Sequence, residues 1–156
     1  MSLLFGIERC KMDSNGRFKL PVALKKQLGA EDNRFVIRRS IYADCLELWT
    51  FASFEAEVAL LTKELNRYKK EDLDLLRRLV RCNVIEIDTN DRLLIPSEQK
   101  DCLKAAKDIV LQSVGRFIEI WDFNTYNKMD TNSEDFASLV NERLGDFRNN
   151  DDDTAR

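Results

Sequence analysis

The ten residues Met12 to Pro21, MDSNGRFKLP, return on the same plan at Ile87 to Pro96, IDTNDRLLIP. At this offset of 75, Asp13 falls on Asp88, Gly16 on Asp91, Arg17 on Arg92 and Pro21 on Pro96, which accounts for both of the chain's 2 prolines. A second match follows at a slightly shifted offset. CLELWTFASF and RFIEIWDFNTY bring Glu47 over Glu119, Trp49 over Trp121 and Phe54 over Tyr126, so the 2 tryptophans are also equivalent. A duplicated unit is the strongest constraint on the fold. One copy of about 45 residues is small for a core of its own. Two copies solve this by packing around a pseudo-twofold axis and sharing one core.

Each unit reads as the same series of elements. In the first, FGIERCKM is a strand, DSNG a turn and RFKL a returning strand, which together make a short hairpin. Asp13 accepts backbone N–H bonds in that turn, and Gly16 supplies the positive φ. Pro21 opens a helix, VALKKQLG, with Gly29 as its stop. RFVIRRS and CLELWT are two further strands. The second unit repeats the order with NVIEI, RLLI, a helix near Glu98 to Ala105, DIVLQS and RFIEIW. The expected shared core is Phe18, Leu20, Val36, Leu46, Leu48, Leu93, Ile95, Val110, Ile118 and Ile120, with Trp49 and Trp121 as core aromatics.

Between the copies, Phe54, Val58, Leu61 and Leu65 recur at helical spacing and predict a helix over 51–66. A second helix is expected over 71–81, with Leu75, Leu76 and Leu79 inward. Arg77, Arg78 and Arg81 fall on its end. They are candidates for a ligand-facing role, although i,i+4 pairing such as Asp74 with Arg78 explains some of this charge equally well. After Tyr126, SEDFASLVNERLGDF is a possible short helix and RNNDDDTAR an expected disordered end. The expected organisation is therefore a unit at 3–54, a helical connector at 55–81, a second unit at 82–126, and a short helix with an acidic tail at 127–156. The fold class is α+β with a mainly β core.

Composition removes most chemistries. There is no histidine, and Cys10, Cys45, Cys82 and Cys102 lack metal-ligand spacing. They are read as semi-buried thiols. No nucleotide-binding loop or other enzyme motif is present, so neither catalysis nor a cofactor is expected. The opening MSLLFGIERC has too short an apolar run for a signal sequence, and no stretch is long enough to cross a bilayer. A cytoplasmic protein is expected. The net charge of -3 hides an uneven distribution. Arg9 to Arg39 holds nine Lys or Arg against three acidic residues, whereas Asp130 to Arg156 has a balance of -5. One side of the surface can therefore be basic.

The two Asp-x-x-x-Arg motifs, each followed by a proline-led helix, resemble those of the MraZ family of bacterial transcriptional regulators. The paired ELW and EIW segments and the helical connector fit too, so the resemblance runs from about Leu3 to Glu142. It implies tandem swapped-hairpin domains of the AbrB and MazE group. It also implies a ring-like homo-oligomer that binds repeated promoter elements in double-stranded DNA and represses the division and cell wall gene cluster, with nucleoid association. Asn15 stands where the family often has lysine, and Asp91 where glycine is usual.

Strand alternation puts Arg17 and Lys19 on one face and Phe18 and Leu20 on the other. Arg9 and Lys11 likewise share a face of the preceding strand. A two-stranded ribbon can enter a major groove, where arginine reads guanine O6 and N7. Arg17 is the first choice for a base or critical phosphate contact. Arg9, Lys11 and Lys19 are expected on phosphates, with Asn15 able to reach a base or phosphate. Asp13, Gly16 and Asp88 are turn-forming. In a competing reading, Asp13–Arg17 and Asp88–Arg92 are salt bridges that tie the hairpins together, and the two readings can coexist. At the repeat offset, Arg9, Lys11 and Lys19 become Val84, Glu86 and Leu94. Arg92 is therefore the weaker candidate, and the first unit is expected to supply most of the DNA contact. The alternative class is an antitoxin-like or structural interaction protein of the same hairpin type.

Overall fold

The computed structural model describes residues 3–104, 106–129 and 133–154. They fall into two units, Met1–Tyr126 and Asn127–Arg156. In the first unit, one half runs β1 (Leu4–Lys11), β2 (Arg17–Lys19), α1 (Val22–Leu28), β3 (Arg34–Arg39) and β4 (Leu46–Thr50). The connector holds α2 (Phe51–Glu64) and α3 (Lys70–Leu79). The other half repeats the order with β5 (Asn83–Glu86), β6 (Arg92–Leu94), α4 (Ser97–Lys100) with a 3-10 turn at Asp101–Leu103, β7 (Asp108–Gly115) and β8 (Ile118–Asp122). Short α5 (Phe123–Asn127) follows.

The halves are interleaved. β1 pairs antiparallel with β7, and β5 pairs antiparallel with β3, so each half's first strand lies on the other half's sheet. β4 and β8 meet at the centre, with Glu47 opposite Glu119. The order β1-β7-β8-β4-β3-β5 reads the same when the halves are exchanged. β2 and β6 form a separate two-stranded sheet. This is a swapped-hairpin α+β fold.

The expected local ribbon of β1 with β2 does not form. The Asp13 N–H donates to the Arg17 carbonyl at 2.8 Å and Met12 bridges Phe18, but the strands then part. A three-residue strand gains few bonds from its sequence neighbour. Against β6, it satisfies its backbone and turns Phe18 and Leu20 inward beside Leu93 and Ile95. These four cover one face of the six-stranded sheet, where Ile37, Leu46, Leu48, Ile109, Leu111, Ile118 and Ile120 complete a core drawn from both halves.

Val36 and Val110, expected in that core, are buried on the opposite face. Val36 packs with Trp49 and Phe54, and Val110 with Trp121 and Cys45. Beside Trp49, Arg38 Nε donates to Glu47 Oε1 at 2.8 Å, and Trp49 Nε1 donates to the same oxygen at 3.0 Å. Arg38 also donates to the Leu79 carbonyl and so ties down the end of α3. In the second half, Gln112 stands opposite Glu119 as Arg38 does opposite Glu47. It accepts from the Tyr126 hydroxyl at 2.9 Å.

The connector helices form as the periodicity predicts. Thr50 caps α2 by accepting from the Ser53 N–H. Leu75, expected inward, is instead 46% exposed, and α3 has no fully buried residue. Asp74 pairs with Arg77 rather than Arg78. The expected helix near Glu98 breaks into α4 and the 3-10 turn, ended by Lys104 at φ 54, and Ala105 lies outside the described residues. The other unit contains α6 (Ser133–Thr154), which continues through residues expected to be disordered. Ala155 and Arg156 lie outside the described residues. Phe136, Leu139 and Leu144 are exposed on α6. Among the described residues no helix is long and apolar enough to cross a membrane. Burial pushes the Cys10 thiol up to about 11 and the Cys45 thiol to about 12.

Candidate nucleic-acid interface

Both Asp-x-x-x-Arg motifs fold into the same turn. Asp13 Oδ1 accepts from the Asn15 and Arg17 N–H groups, each at 2.9 Å. Asp88 Oδ1 accepts from Asn90 at 2.8 Å and Arg92 at 2.9 Å. The Gly16 N–H reaches the Asp13 carbonyl at 3.1 Å, and the Asp91 N–H reaches the Asp88 carbonyl at 3.1 Å. Asp91 takes φ 61 where Gly16 takes φ 87, so replacing glycine has not changed the turn. Aspartate tolerates this region better than most residues. These backbone donors hold both carboxyls below the usual carboxylate range. For Asp13 the Arg17 N–H is the largest cause, and for Asp88 the Arg92 N–H is.

The carboxylates thus spend these hydrogen bonds on backbone, and the Arg17 and Arg92 charges act on them only as smaller, through-space contributions. Among the described residues neither arginine makes an ion pair, so the salt-bridge reading of the motif is not what forms. β2 and β6 align Arg17 with Leu94, Phe18 with Leu93 and Lys19 with Arg92. Phe18 and Leu93 are buried beneath, and Arg17, Lys19, Arg92 and Leu94 face outward. Three cations therefore share one small ribbon face, and Arg92 stands directly opposite Lys19.

Arg9 and Lys11 are elsewhere. They project from the six-stranded sheet, with Arg9 opposite Val110 and Lys11 opposite Asp108. The Arg9 guanidinium lies 3.7 Å from the Phe123 ring centroid and 3.7 Å from an Asp108 oxygen. The four cations expected on one local ribbon are thus divided between two sheets. Asn15 is exposed at the tip of the first turn. Arg78 and Arg81 line a separate cleft with Arg39, Ile41 and Gln99.

Two lysines escaped the sequence reading. Lys100 of α4 donates to the Asn15 carbonyl at 2.8 Å. Lys25 of α1 pairs with Asp91 at 2.5 Å. Each crosses from a proline-led helix to the turn of the other half. They are 75 positions apart, the offset of the repeat, which could have singled them out. A Cβ on Gly16 would lie 2.2 Å from Lys100 Cε, so the missing side chain makes room for this lysine. The Leu20 N–H to Asp91 carbonyl and Ile95 N–H to Gly16 carbonyl bonds, at 2.8 and 2.9 Å, close the same junction symmetrically.

A family model described as "MraZ protein, putative antitoxin-like" matches residues 3–78 and 81–147. The chain belongs to the MraZ family. The match in two stretches follows the duplication, since the first begins just before β1 and the second just before β5. "Transcriptional regulator MraZ" of Flavobacterium psychrophilum is 40% identical over 98% of this chain and 98% of its own. The protein of the same name from Christiangramia forsetii is 39% identical over 91% of this chain and 93% of its own. That of Treponema denticola is 29% identical over 87% and 93%. The MraZ assignment therefore spans both halves of the interleaved unit.

Proposed function

We propose that the protein is a sequence-specific DNA-binding transcriptional regulator whose β2–β6 ribbon faces the duplex. The observation that carries this reading is the outward cluster of Arg17, Lys19 and Arg92, free of ion pairs among the described residues and backed by buried Phe18 and Leu93. The names of the similar proteins support it. Arg17 takes the base or critical phosphate contact. Lys19 and Arg92 add phosphate contacts, and Asn15 reaches the duplex from the turn. Arg9 and Lys11 share the sheet face of Val110, turned away from the ribbon, and are not part of this contact. We further propose a ring-like homo-oligomer on repeated promoter elements of the division and cell wall gene cluster, acting as a repressor within the nucleoid. In such an array several weak contacts add through effective concentration. The sequence units at 3–54 and 82–126 are each represented on the ribbon, so neither half binds alone.

The test is binding to the protein's own upstream DNA across a salt series, using wild type, Arg17→Ala and Arg92→Ala at matched oligomeric state. Arg17→Ala is expected to cost more, on the order of 1–3 kcal/mol for a bidentate base contact. Equal losses would overturn the unequal roles, and a wild type that ignores every upstream repeat would overturn the regulator. An antitoxin-like role has one observation in its favour, the exposed Phe136, Leu139 and Leu144 on α6, which offer a partner-binding stripe. Capture of a toxin encoded by a neighbouring gene would select that reading.

A further inference from the structure

We propose that Lys25 and Lys100 are positioning residues for DNA binding, each fixing the opposite half's turn so that Arg17 and Arg92 are presented as one module. This rests on the DNA-binding reading above. Lys100 belongs to the second half but holds the Asn15 carbonyl, two residues before Arg17. Lys25 belongs to the first half but holds the Asp91 carboxylate, adjacent to Arg92. Both lysines reach across the junction already closed by the Leu20–Asp91 and Ile95–Gly16 backbone bonds.

The two contacts do different work. At Gly16 there is no side chain, and the Lys100 stem occupies the space beside it. Its ammonium fixes a turn carbonyl and leaves a net positive charge at that tip. At Asp91 the residue brings a carboxylate next to a candidate phosphate contact. Unpaired, that charge would repel DNA and weaken the pull of Arg92. The Lys25 ammonium cancels it and steadies a non-glycine residue at φ 61. A substitution in the helix of one half should therefore act through the arginine of the other.

The experiment combines hydrogen–deuterium exchange of the two turns with binding to the protein's own upstream DNA. Lys100→Met should speed exchange in the segment from Asp13 to Lys19 and weaken binding about two- to tenfold, the scale of one lost hydrogen bond. It should add little when Arg17 is already alanine. Lys25→Met should weaken binding similarly, and adding Asp91→Gly should restore it, because the repelling carboxylate is removed and glycine accepts the positive φ. A lysine with a merely structural role would not be rescued by that change. Unaltered exchange in Lys100→Met, additive losses with Arg17→Ala, or failed rescue by Asp91→Gly would each overturn the proposal. If wild type binds no upstream DNA, the regulator reading and the DNA role of the lysines fall together. Exchange would then still report separately whether the lysines hold the turns.

Discussion

At Gly16 the first turn passes through φ 87 with a hydrogen as its side chain, while at Asp91 the second passes through φ 61 with a carboxylate held by Lys25. The backbone bonds around them match closely. A similar contrast lies beneath the tryptophans. Trp49 and Trp121 both donate to a glutamate two residues earlier, but Glu47 has the Arg38 guanidinium and Glu119 faces the Gln112 amide. The interleaved backbone requires both halves to keep their turn geometry and inward residues, since each completes the other's sheet. Charge is not bound in that way. The first half has Lys19 and Arg38 where the second has Leu94 and Gln112.

The tryptophan networks should break this near-symmetry most strongly. Arg38 and Glu47 are both only 8% exposed at the side chain. Arg38→Met leaves Glu47 charged and unpaired and frees the end of α3, so it should destabilise the fold by roughly 3–5 kcal/mol. Gln112→Ala removes only the acceptor of the Tyr126 hydroxyl and should cost about 1 kcal/mol. Denaturant titrations of the two variants give the comparison directly. Equal losses would mean that the halves are energetically alike despite the different partners.

The turns give the next largest difference. Gly16→Ala puts a Cβ into a left-handed position and displaces Lys100, with an expected cost of about 1–2 kcal/mol. Asp91→Gly relieves the backbone but removes a partly exposed ion pair, so its net change should stay under about 1 kcal/mol. Chemical denaturation midpoints distinguish these outcomes. On the ribbon face, Leu94→Lys would restore the cation that the repeat lacks opposite Arg17. Affinity for the upstream DNA should rise at low salt, and the salt slope should steepen by about 1. An unchanged slope would put position 94 away from the duplex.

Much of this was legible in the chain itself. The 75-residue offset identified the duplication, the turn residues and most of the shared core, because inward positions of a half-buried strand alternate visibly. The partner of β2 was not legible. Local reading joins strands across the nearest turn, whereas Phe18 is buried by pairing with a strand 75 residues away. That choice depends on covering the six-stranded sheet, which no window of sequence contains. The same limit hid the separation of Arg9 and Lys11 from Arg17. Lys25 and Lys100 stood at the repeat offset, but their acceptors lie in the opposite halves. Val36 and Val110 were correctly read as buried, but the face they occupy depends on how the sheets stack.

The smallest expected difference concerns the two aspartates that form the turns. Their folded pKa values lie below the ordinary aspartate value of about 3.9, because the charged carboxylates accept backbone N–H bonds. A depressed folded value means that the unfolded chain takes up these protons first as pH falls. The associated stability is present above the unfolded value and is lost as pH drops through the folded ones. Asparagine keeps an oxygen able to accept the same bonds but does not titrate in this range. Between pH 6 and pH 3, wild type should therefore lose slightly more denaturant resistance than Asp13→Asn or Asp88→Asn. Asp13 and Asp88 have matching backbone partners, so the two variants should reduce the pH dependence by similar amounts. A clearly larger effect at Asp88 would show that the neighbouring Asp91–Lys25 pair is coupled to the turn it borders.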